Sequence, residues 1–147
     1  MRLNTLLLLG ALAGALVGGM LLWDALVTTD EERLQTFVDT VTGTMEPATV
    51  SEGLSWVDPD AQPLEVEARG MGKLYRAGDA DELQRDAREQ LRPFMGDDLR
   101  ALREAIDVDG DQAAVELKLL TNRGLVQARF RFVKRRERWL LEKAWVR

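Results

Sequence analysis

Hydrophobic and polar residues follow two different patterns along this chain, one at its start and another through the rest. The first 23 residues carry a single charge, Arg2, and the stretch from Leu6 to Trp23 is an unbroken apolar run. As a helix that rises about 1.5 Å per residue, this run spans roughly 27 Å, close to the hydrocarbon thickness of a bilayer. The pattern predicts either a membrane anchor or a cleavable secretory signal.

Three features of the run favour an uncleaved anchor. It is longer than the roughly 7–15 apolar residues of a secretory signal, and no pair of small residues with cleavage-site spacing follows it. Trp23 stands where an interfacial aromatic residue is common, and the charge before the run is basic while Asp24 after it is acidic. By the positive-inside rule, we expect residues 1–28 to be an anchor in the inner (cytoplasmic) membrane with a short cytoplasmic N-terminus. Residues 29–147 would then form a domain in the periplasm or outside the cell.

Small residues recur inside the apolar run at helical spacing. They form two neighbouring rows, Gly10, Gly14 and Gly18 in one, and Ala11, Ala15 and Gly19 in the other. On a helix, such rows make one flat face that lets another backbone approach closely. We expect this face to pack against a partner helix, in a homodimer or with other membrane protein subunits. The alternative is that Ala and Gly are simply common in apolar export segments.

Two stretches after the run have the signals of amphipathic helices. Thr29 and Glu32 form a capping box ahead of apolar residues at helical spacing. These signals predict a helix over about 29–43. Asp79 and Glu82 form a second capping box, which predicts the start of another helix.

Alternation of apolar and polar residues marks the strands. It appears first over 64–69, after a stretch rich in turn residues (44–62) that predicts turns with one short helical piece. It returns later in three segments separated by turns, the first of them opened by the turn Asp109-Gly110. Residues 97–106 fit a helix or a strand, and we prefer a strand from about residue 101 because the residues that follow are clearly β. The pattern predicts a meander of three or four antiparallel strands with one apolar face.

Helices come early and strands late, so the predicted fold class is α+β. The segment Gly110-Asp111-Gln112-Ala113-Ala114-Val115, and Phe130-Arg131-Phe132-Val133-Lys134 ahead of Trp139-Leu140-Leu141, resemble the nuclear-transport-factor-two-like (NTF2-like, SnoaL-like or cystatin-like) superfamily. The resemblance covers about residues 29–147 and implies amphipathic helices packed on a curved antiparallel sheet, in the shape of a cone. Members with an N-terminal membrane helix include periplasmic components of secretion and lipid-transport machineries. Other members are enzymes such as ketosteroid isomerase, but no motif here matches their catalytic residues one by one.

Composition removes several kinds of chemistry. The chain has no Cys and no His, which excludes disulfides, thiolate metal sites, His general bases and Ser–His triads. We expect no cofactor and no metal. Residues 123–147 hold nine of the 20 basic but only two of the 25 acidic side chains, so the rest of the domain is strongly acidic. An acidic body argues against nucleic-acid binding.

Two groups of residues in the domain are candidate contact sites, each with a plainer alternative. A basic cluster either contacts a partner or lipid headgroups, or is a solvated hairpin tip whose charges discourage edge pairing. We call this cluster the basic tip; it consists of Lys134, Arg135, Arg136 and Arg138. A set of aromatic residues either lines a pocket in the concave sheet or is ordinary core. These residues are Trp56, Tyr75, Phe130, Phe132 and Trp139.

Two groups of acidic residues are candidate chemical sites, each with a plainer alternative. The segment from Asp107 to Asp111 suggests calcium, but it lacks the Gly and Glu that an EF-hand loop beginning at Asp107 needs, so a plain hairpin turn is favoured. Asp58 or Asp60 would have to be buried to act as a general base, and their Pro-rich surroundings favour exposed loops.

The sequence therefore favours a single-pass membrane protein with an extracytoplasmic interaction domain. Its expected role is that of an accessory or assembly subunit of a bacterial envelope or membrane complex. The first alternative is a carrier of a small molecule or lipid that uses the concave face of the cone. The second is a hydrolase or isomerase of the cone family.

Overall fold

The computed structural model describes residues 28–147. The predicted anchor, with its two rows of small residues, lies outside the described residues. Within the described range, no helix is both long enough and apolar enough to cross a membrane.

The first helix, α1 (Asp30–Val41), begins where its capping box predicts. The Thr29 hydroxyl accepts a hydrogen bond from the Glu32 backbone N–H at 3.2 Å, and the Thr29 N–H donates to the Glu32 carboxylate at 2.9 Å. Both contacts satisfy N–H groups that the first turn of a helix leaves without intrahelical partners. Gly43, just after the helix, has φ +94°, a conformation that glycine adopts at little cost.

Two more helices follow, the shorter α2 (Pro47–Leu54) and α3 (Ala80–Leu91), the latter continued by a 3₁₀ turn over Arg92–Phe94. The capping box predicted for α3 is wrong, because no Asp79 side-chain cap is present. The Asp79 carboxylate instead accepts from the Arg76 N–H at 2.8 Å. Glu82 accepts from Lys73 on a neighbouring strand at 2.6 Å.

Seven strands form one sheet with the spatial order β1-β4-β5-β6-β7-β2-β3. They are β1 (Gly43–Thr44), β2 (Leu64–Ala68), β3 (Met71–Tyr75), β4 (Asp98–Asp109), β5 (Gln112–Thr121), β6 (Gly124–Arg135) and β7 (Arg138–Val146). The predicted meander is confirmed as β4 to β7. The expectation of an antiparallel sheet needs one correction, because β2 pairs with β7 in parallel.

Two irregularities bend the meander. The register against β5 shifts between Ala101 and Arg103, so Leu102 has no partner and is 51% exposed. A second shift leaves Glu142 of β7 without a partner on β6. Such β-bulges add local bend and twist, as a curved sheet requires. The first bulge interrupts the alternation of β4, which explains why the sequence over 97–106 fits a helix as well as a strand.

The core lies between α1 and the concave face of the sheet. Leu34, Phe37 and Val38 of α1 are at most 2% exposed and pack against alternate residues of the meander strands, including Val115 and Phe132. Phe37 is the centre of this packing. Its ring makes edge-to-face contacts with Trp56, Phe130 and Phe132 at centroid distances of 5.5, 5.0 and 4.9 Å.

Candidate functional site

The β6–β7 hairpin carries the basic tip on a tight turn. Arg135 pairs with Arg138, which leaves Arg136 and Glu137 as the two central residues, with φ +48° and +64°. A two-residue turn with positive φ at both positions favours Asn-Gly or similar pairs. For other residues this conformation costs of order 1 kcal/mol or more each. The chain therefore keeps two charged side chains at a position where smaller residues would be less strained.

The base of the hairpin is tied to the first turn of α1. The Trp139 indole N–H donates to the Asp30 carboxylate at 3.0 Å, and the Lys134 ammonium donates to the same group at 3.1 Å. Lys134 also lies over the Trp139 ring, 5.6 Å from its centroid. The hydrogen bond from Trp139, aided by Lys134, holds the pKa of Asp30 below its usual value despite the opposing effect of partial burial.

These contacts divide the basic tip into two parts. Lys134 is bound by Asp30, and Arg135 donates from Nε and Nη2 to the Gln62 side-chain oxygen at 3.3 and 3.2 Å. Arg136 and Arg138 are exposed and form no ion pair within residues 28–147. The outward part of the tip is therefore Arg136 and Arg138.

Most other basic residues of the C-terminal segment are matched to nearby acids. The ion pairs are Arg123 with Asp97, Arg129 with Glu116, Arg131 with Glu142 and Lys143 with Glu65, with N–O distances of 3.9, 2.8, 3.3 and 3.4 Å. The excess of basic residues in the C-terminal segment is therefore largely neutralised by acidic residues that lie beside it in the folded domain. Exposed pairs of this kind contribute little stability, so their main effect is on the charge that the surface presents.

An open groove lies between the start of α1, the end of α2 and the hairpin. It is shallow and open, has a volume of about 390 Å³ and is lined by Arg33, Thr36, Ser55, Trp56, Glu137, Arg138 and Trp139. The Arg33 guanidinium donates to the Glu137 carbonyl at 3.4 Å, which holds it at the hairpin. The two hydroxyl groups donate to carbonyls of their own helical turns, so Arg33 and Arg138 are the cationic donors that face the groove. The groove thus combines two cations with the half-buried Trp56, whereas Trp139 is only 4% exposed.

The five aromatic residues predicted to line a pocket occupy three different places. Phe130 and Phe132 pack on α1 in the core, whereas Trp56 and Trp139 belong to both the core and the groove. Tyr75 lies on β3, beneath α3, and is 3% exposed. A shared pocket lined by all five stays a prediction.

Tyr75 belongs to a polar cluster that fastens α3 to β3. Its hydroxyl donates to the Asp86 carboxylate at 2.8 Å, while Lys73 donates to Asp86 at 2.5 Å and to Glu82 at 2.6 Å. Burial, and then the hydrogen bond to Asp86, raise the pKa of Tyr75 to about 12. The hydrogen bonds from Lys73 and Tyr75 lower the pKa of Asp86. Each shift stabilises the charge state that the group already has at neutral pH, so none prepares a proton transfer.

The described carboxylates lie at or near the surface, although one oxygen of Asp97, Oδ2, is buried without a hydrogen-bond partner. Every Asp and Glu within residues 28–147 is exposed or half-buried. The Asp58 carboxylate accepts from the backbone N–H groups of Asp60 and Ala61, and Asp60 accepts from Gly78, so both residues organise their loop. Across the same range, no group of three or more Asp and Glu side chains is placed to hold a metal ion. The turn after Asp109 is formed by Gly110, with φ +60°, and Asp111.

Sequence reasoning found the basic tip but missed the residues that complete the site. Asp30 and Gln62 lie 104 and 73 positions from the basic residues they bind, and no local signal connects them. Arg33 follows the capping box of α1 as an ordinary exposed helical residue, so its place in the groove becomes visible only in the folded domain.

Known structures resemble this domain in fold, although no known sequence family does. No family model matches the chain, and no curated protein matches its sequence. An NTF2-like protein of unknown function from Pseudomonas putida KT2440 superposes with a TM-score of 0.62 at 6% identity, covering 79% of this chain and 84% of its own. A proposed dehydratase of the NTF2-like family from Streptomyces avermitilis gives 0.60 at 19% identity, covering 80% and 94%.

A third similar structure is a proposed ketosteroid isomerase from Parabacteroides distasonis ATCC 8503. Its TM-score is 0.58 at 9% identity, and the superposition covers 80% of this chain and 86% of that one. At these identities the likeness concerns the fold and does not extend to activity. The domain therefore has the α+β cone fold that the NTF2-like and cystatin-like proteins share.

Proposed function

We propose that this chain is a single-pass membrane protein whose cone domain acts in protein–protein interaction, as an accessory or assembly subunit of a bacterial envelope complex. The observation that carries the proposal is the apolar run Leu6–Trp23, which ends seven residues before α1 begins at Asp30. A run of that length suits the thickness of a bilayer. The inner membrane, with residues 29–147 on the periplasmic side, follows from the charge on either side of the run.

The packing of the domain supports interaction over catalysis. Phe37 of α1 lies among Trp56, Phe130 and Phe132, where an enzyme of this fold would need room for a substrate. No Asp or Glu among the described residues is classed as buried, and the chain has no His. Proton transfer at neutral pH usually depends on a buried or otherwise perturbed acid or base. The isomerase or hydrolase alternative therefore has less support.

The test is a pull-down of the intact chain in mild detergent, followed by mass spectrometry of the chain and its partners. Uncleaved Met1–Arg147 together with defined membrane subunits is the expected result. Replacing Gly14 and Gly18 by Leu should abolish co-purification, since the added side chains block close helix contact. Ala13→Leu adds bulk off the two small-residue rows and is the control for each single change, Gly14→Leu or Gly18→Leu. Recovery of the chain from the soluble fraction, or equal partner recovery with both variants, would contradict the proposal.

A second candidate, a carrier for a small molecule or lipid, is favoured by the groove. Its volume of about 390 Å³ falls within the range of roughly 300–1,000 Å³ for ligand sites. However, the groove lies at the edge of the cone and is open, whereas a carrier usually encloses most of its ligand. Stable co-purification of one ligand with the chain, in place of protein partners, would favour this candidate.

A further inference from the structure

The groove beside the hairpin joins three features that together suit one kind of ligand. Arg33 and Arg138 line it, the half-buried Trp56 gives it an apolar wall, and Glu137 stands at its rim. The Glu137 side chain is 88% exposed, so it leaves the interior of the groove to the two arginines. Guanidinium groups bind phosphate well because their planar donors match its oxygens in pairs.

Neighbouring acidic side chains do not occupy most of the guanidinium N–H donors of Arg33 and Arg138. Arg138 makes no ion pair within the described part of the chain, and Arg33 approaches Asp30 only at 4.0 Å. Asp30 is already bound by the Trp139 indole and by Lys134. The Arg33 and Arg138 guanidinium groups therefore keep most of their donors for a ligand.

The position of the groove indicates where such a ligand would come from. The groove is bounded by the first turns of α1, and Asp30 follows Trp23 by seven residues. Seven residues reach at most about 25 Å, even when fully extended. If the apolar run spans the membrane, the groove lies close to the headgroups of the adjacent leaflet.

The surface around the groove is not basic enough for attraction by net charge alone. Lys134, Arg135 and Arg136 share this end of the domain with Glu31, Glu32 and Glu137, and with Asp109 and Asp111 on the neighbouring β4–β5 turn. A mixed surface favours short-range binding of one headgroup over spreading on an anionic membrane.

We propose that the groove binds the headgroup of one membrane phospholipid, with its phosphate held between Arg33 and Arg138 and its glycerol region against Trp56. This inference rests on the proposed membrane anchoring. It adds a lipid site that would fix how the cone is oriented on the membrane. In this proposal, the strained turn at Arg136 and Glu137 serves to place Arg138 at the groove.

The test counts lipids that remain bound to the full chain in native mass spectrometry after extraction in mild detergent. The probes are phosphatidylglycerol and phosphatidylethanolamine, with diacylglycerol as the analogue without phosphate and inorganic phosphate as a free competitor. We expect one phospholipid to be retained, diacylglycerol not to be retained, and inorganic phosphate to leave the lipid in place. Arg33→Gln with Arg138→Gln should lower retention by about 25-fold, taking about fivefold for each charge.

The matched control is Arg100→Gln with Arg103→Gln, which removes two exposed charges from β4 and should leave retention unchanged. Circular dichroism of both double variants shows whether the sheet is intact. If the groove variant has lost its sheet, Arg138→Lys, which keeps the charge, is used to test the groove instead. Equal lipid retention by the groove variant would overturn the lipid site and leave the anchor standing. Displacement by inorganic phosphate would assign the groove to a free anion and also overturn it. A chain that is soluble without detergent would overturn the anchor and the lipid site together.

Discussion

Helices α1 and α3 lie on the same sheet but are held by different forces. Helix α1 buries Leu34, Phe37 and Val38 almost completely, whereas α3 buries only Leu83. The main fastening of α3 is polar and includes Lys73, Tyr75 and Asp86. Apolar burial is worth more than partly exposed ion pairs, so α1 belongs to the cooperative core and α3 is the more easily detached element.

Among the substitutions that test this comparison, Phe37→Ala should have the largest effect on the free energy of unfolding. The ring touches three other aromatic rings, and its removal leaves a cavity, so we expect a loss of about 3–5 kcal/mol in the free energy of unfolding. Chemical denaturation measures it. Phe37→Leu keeps most of the volume and is the control, with a loss of about 1–2 kcal/mol expected. A loss below about 1 kcal/mol for Phe37→Ala would mean that α1 is not part of the core.

Leu83→Ala removes the single buried side chain of α3 and should cost about 2 kcal/mol, the low end for such a change because the site is at the edge. Amide hydrogen exchange should then accelerate throughout α3 while α1 keeps its protection. Equal acceleration in both helices would show that they unfold as one unit, against the comparison drawn above.

Asp30→Asn should cost about 1 kcal/mol at neutral pH, because it removes the charge that binds Lys134 and keeps an oxygen for Trp139. The pKa of Asp30 is lowered in the folded domain. Its contribution is therefore complete above the unfolded value, about 4, and disappears as the pH falls through the folded one. Denaturation of both proteins at a series of pH values tests this. A stability difference that persists at the acidic end would contradict the assigned cause.

Tyr75→Phe should have the smallest effect, a loss of about 0.5–1 kcal/mol, because Asp86 keeps its bond to Lys73. The chain has one tyrosine, so phenolate absorbance reports this residue alone. We expect ionisation at about 12 in the folded domain and near 10 in denaturant. Since the folded pKa is raised, the stabilisation is complete below about pH 10 and declines as the pH rises towards the folded value. The same Tyr75 pKa in folded and denatured protein would contradict both the burial of this residue and its contact with Asp86.

The sequence predicted most of the helices and strands but few of the contacts between distant segments. The capping box at Thr29 and the alternation of β5 to β7 are local signals, and both led to correct elements. Strand β3 was missed because Gly70 and Gly72 interrupt its short pattern. The bulge at Leu102 was also missed, since a single unpaired residue looks like an error in alternation.

For the candidate site, too, the local sequence pattern could be recognised but the contacts with distant residues could not. A run of basic residues is visible in one dimension, and so the basic tip could be named. Its division into bound and outward residues depends on Asp30 and Gln62, which the fold brings from far along the chain. The parallel pairing of β2 with β7 likewise joins segments almost 80 residues apart, for example Glu65 with Lys143.

The clamp between Asp30, Lys134 and Trp139 also has a mechanical consequence. Tension applied to the chain ahead of residue 28 meets this clamp before it can unwind α1, and the load passes directly into β6 and β7. Strand β6 is hydrogen-bonded on both sides, so many bonds share the load. A pull that would separate a free helix from its domain is thus carried by the middle of the sheet.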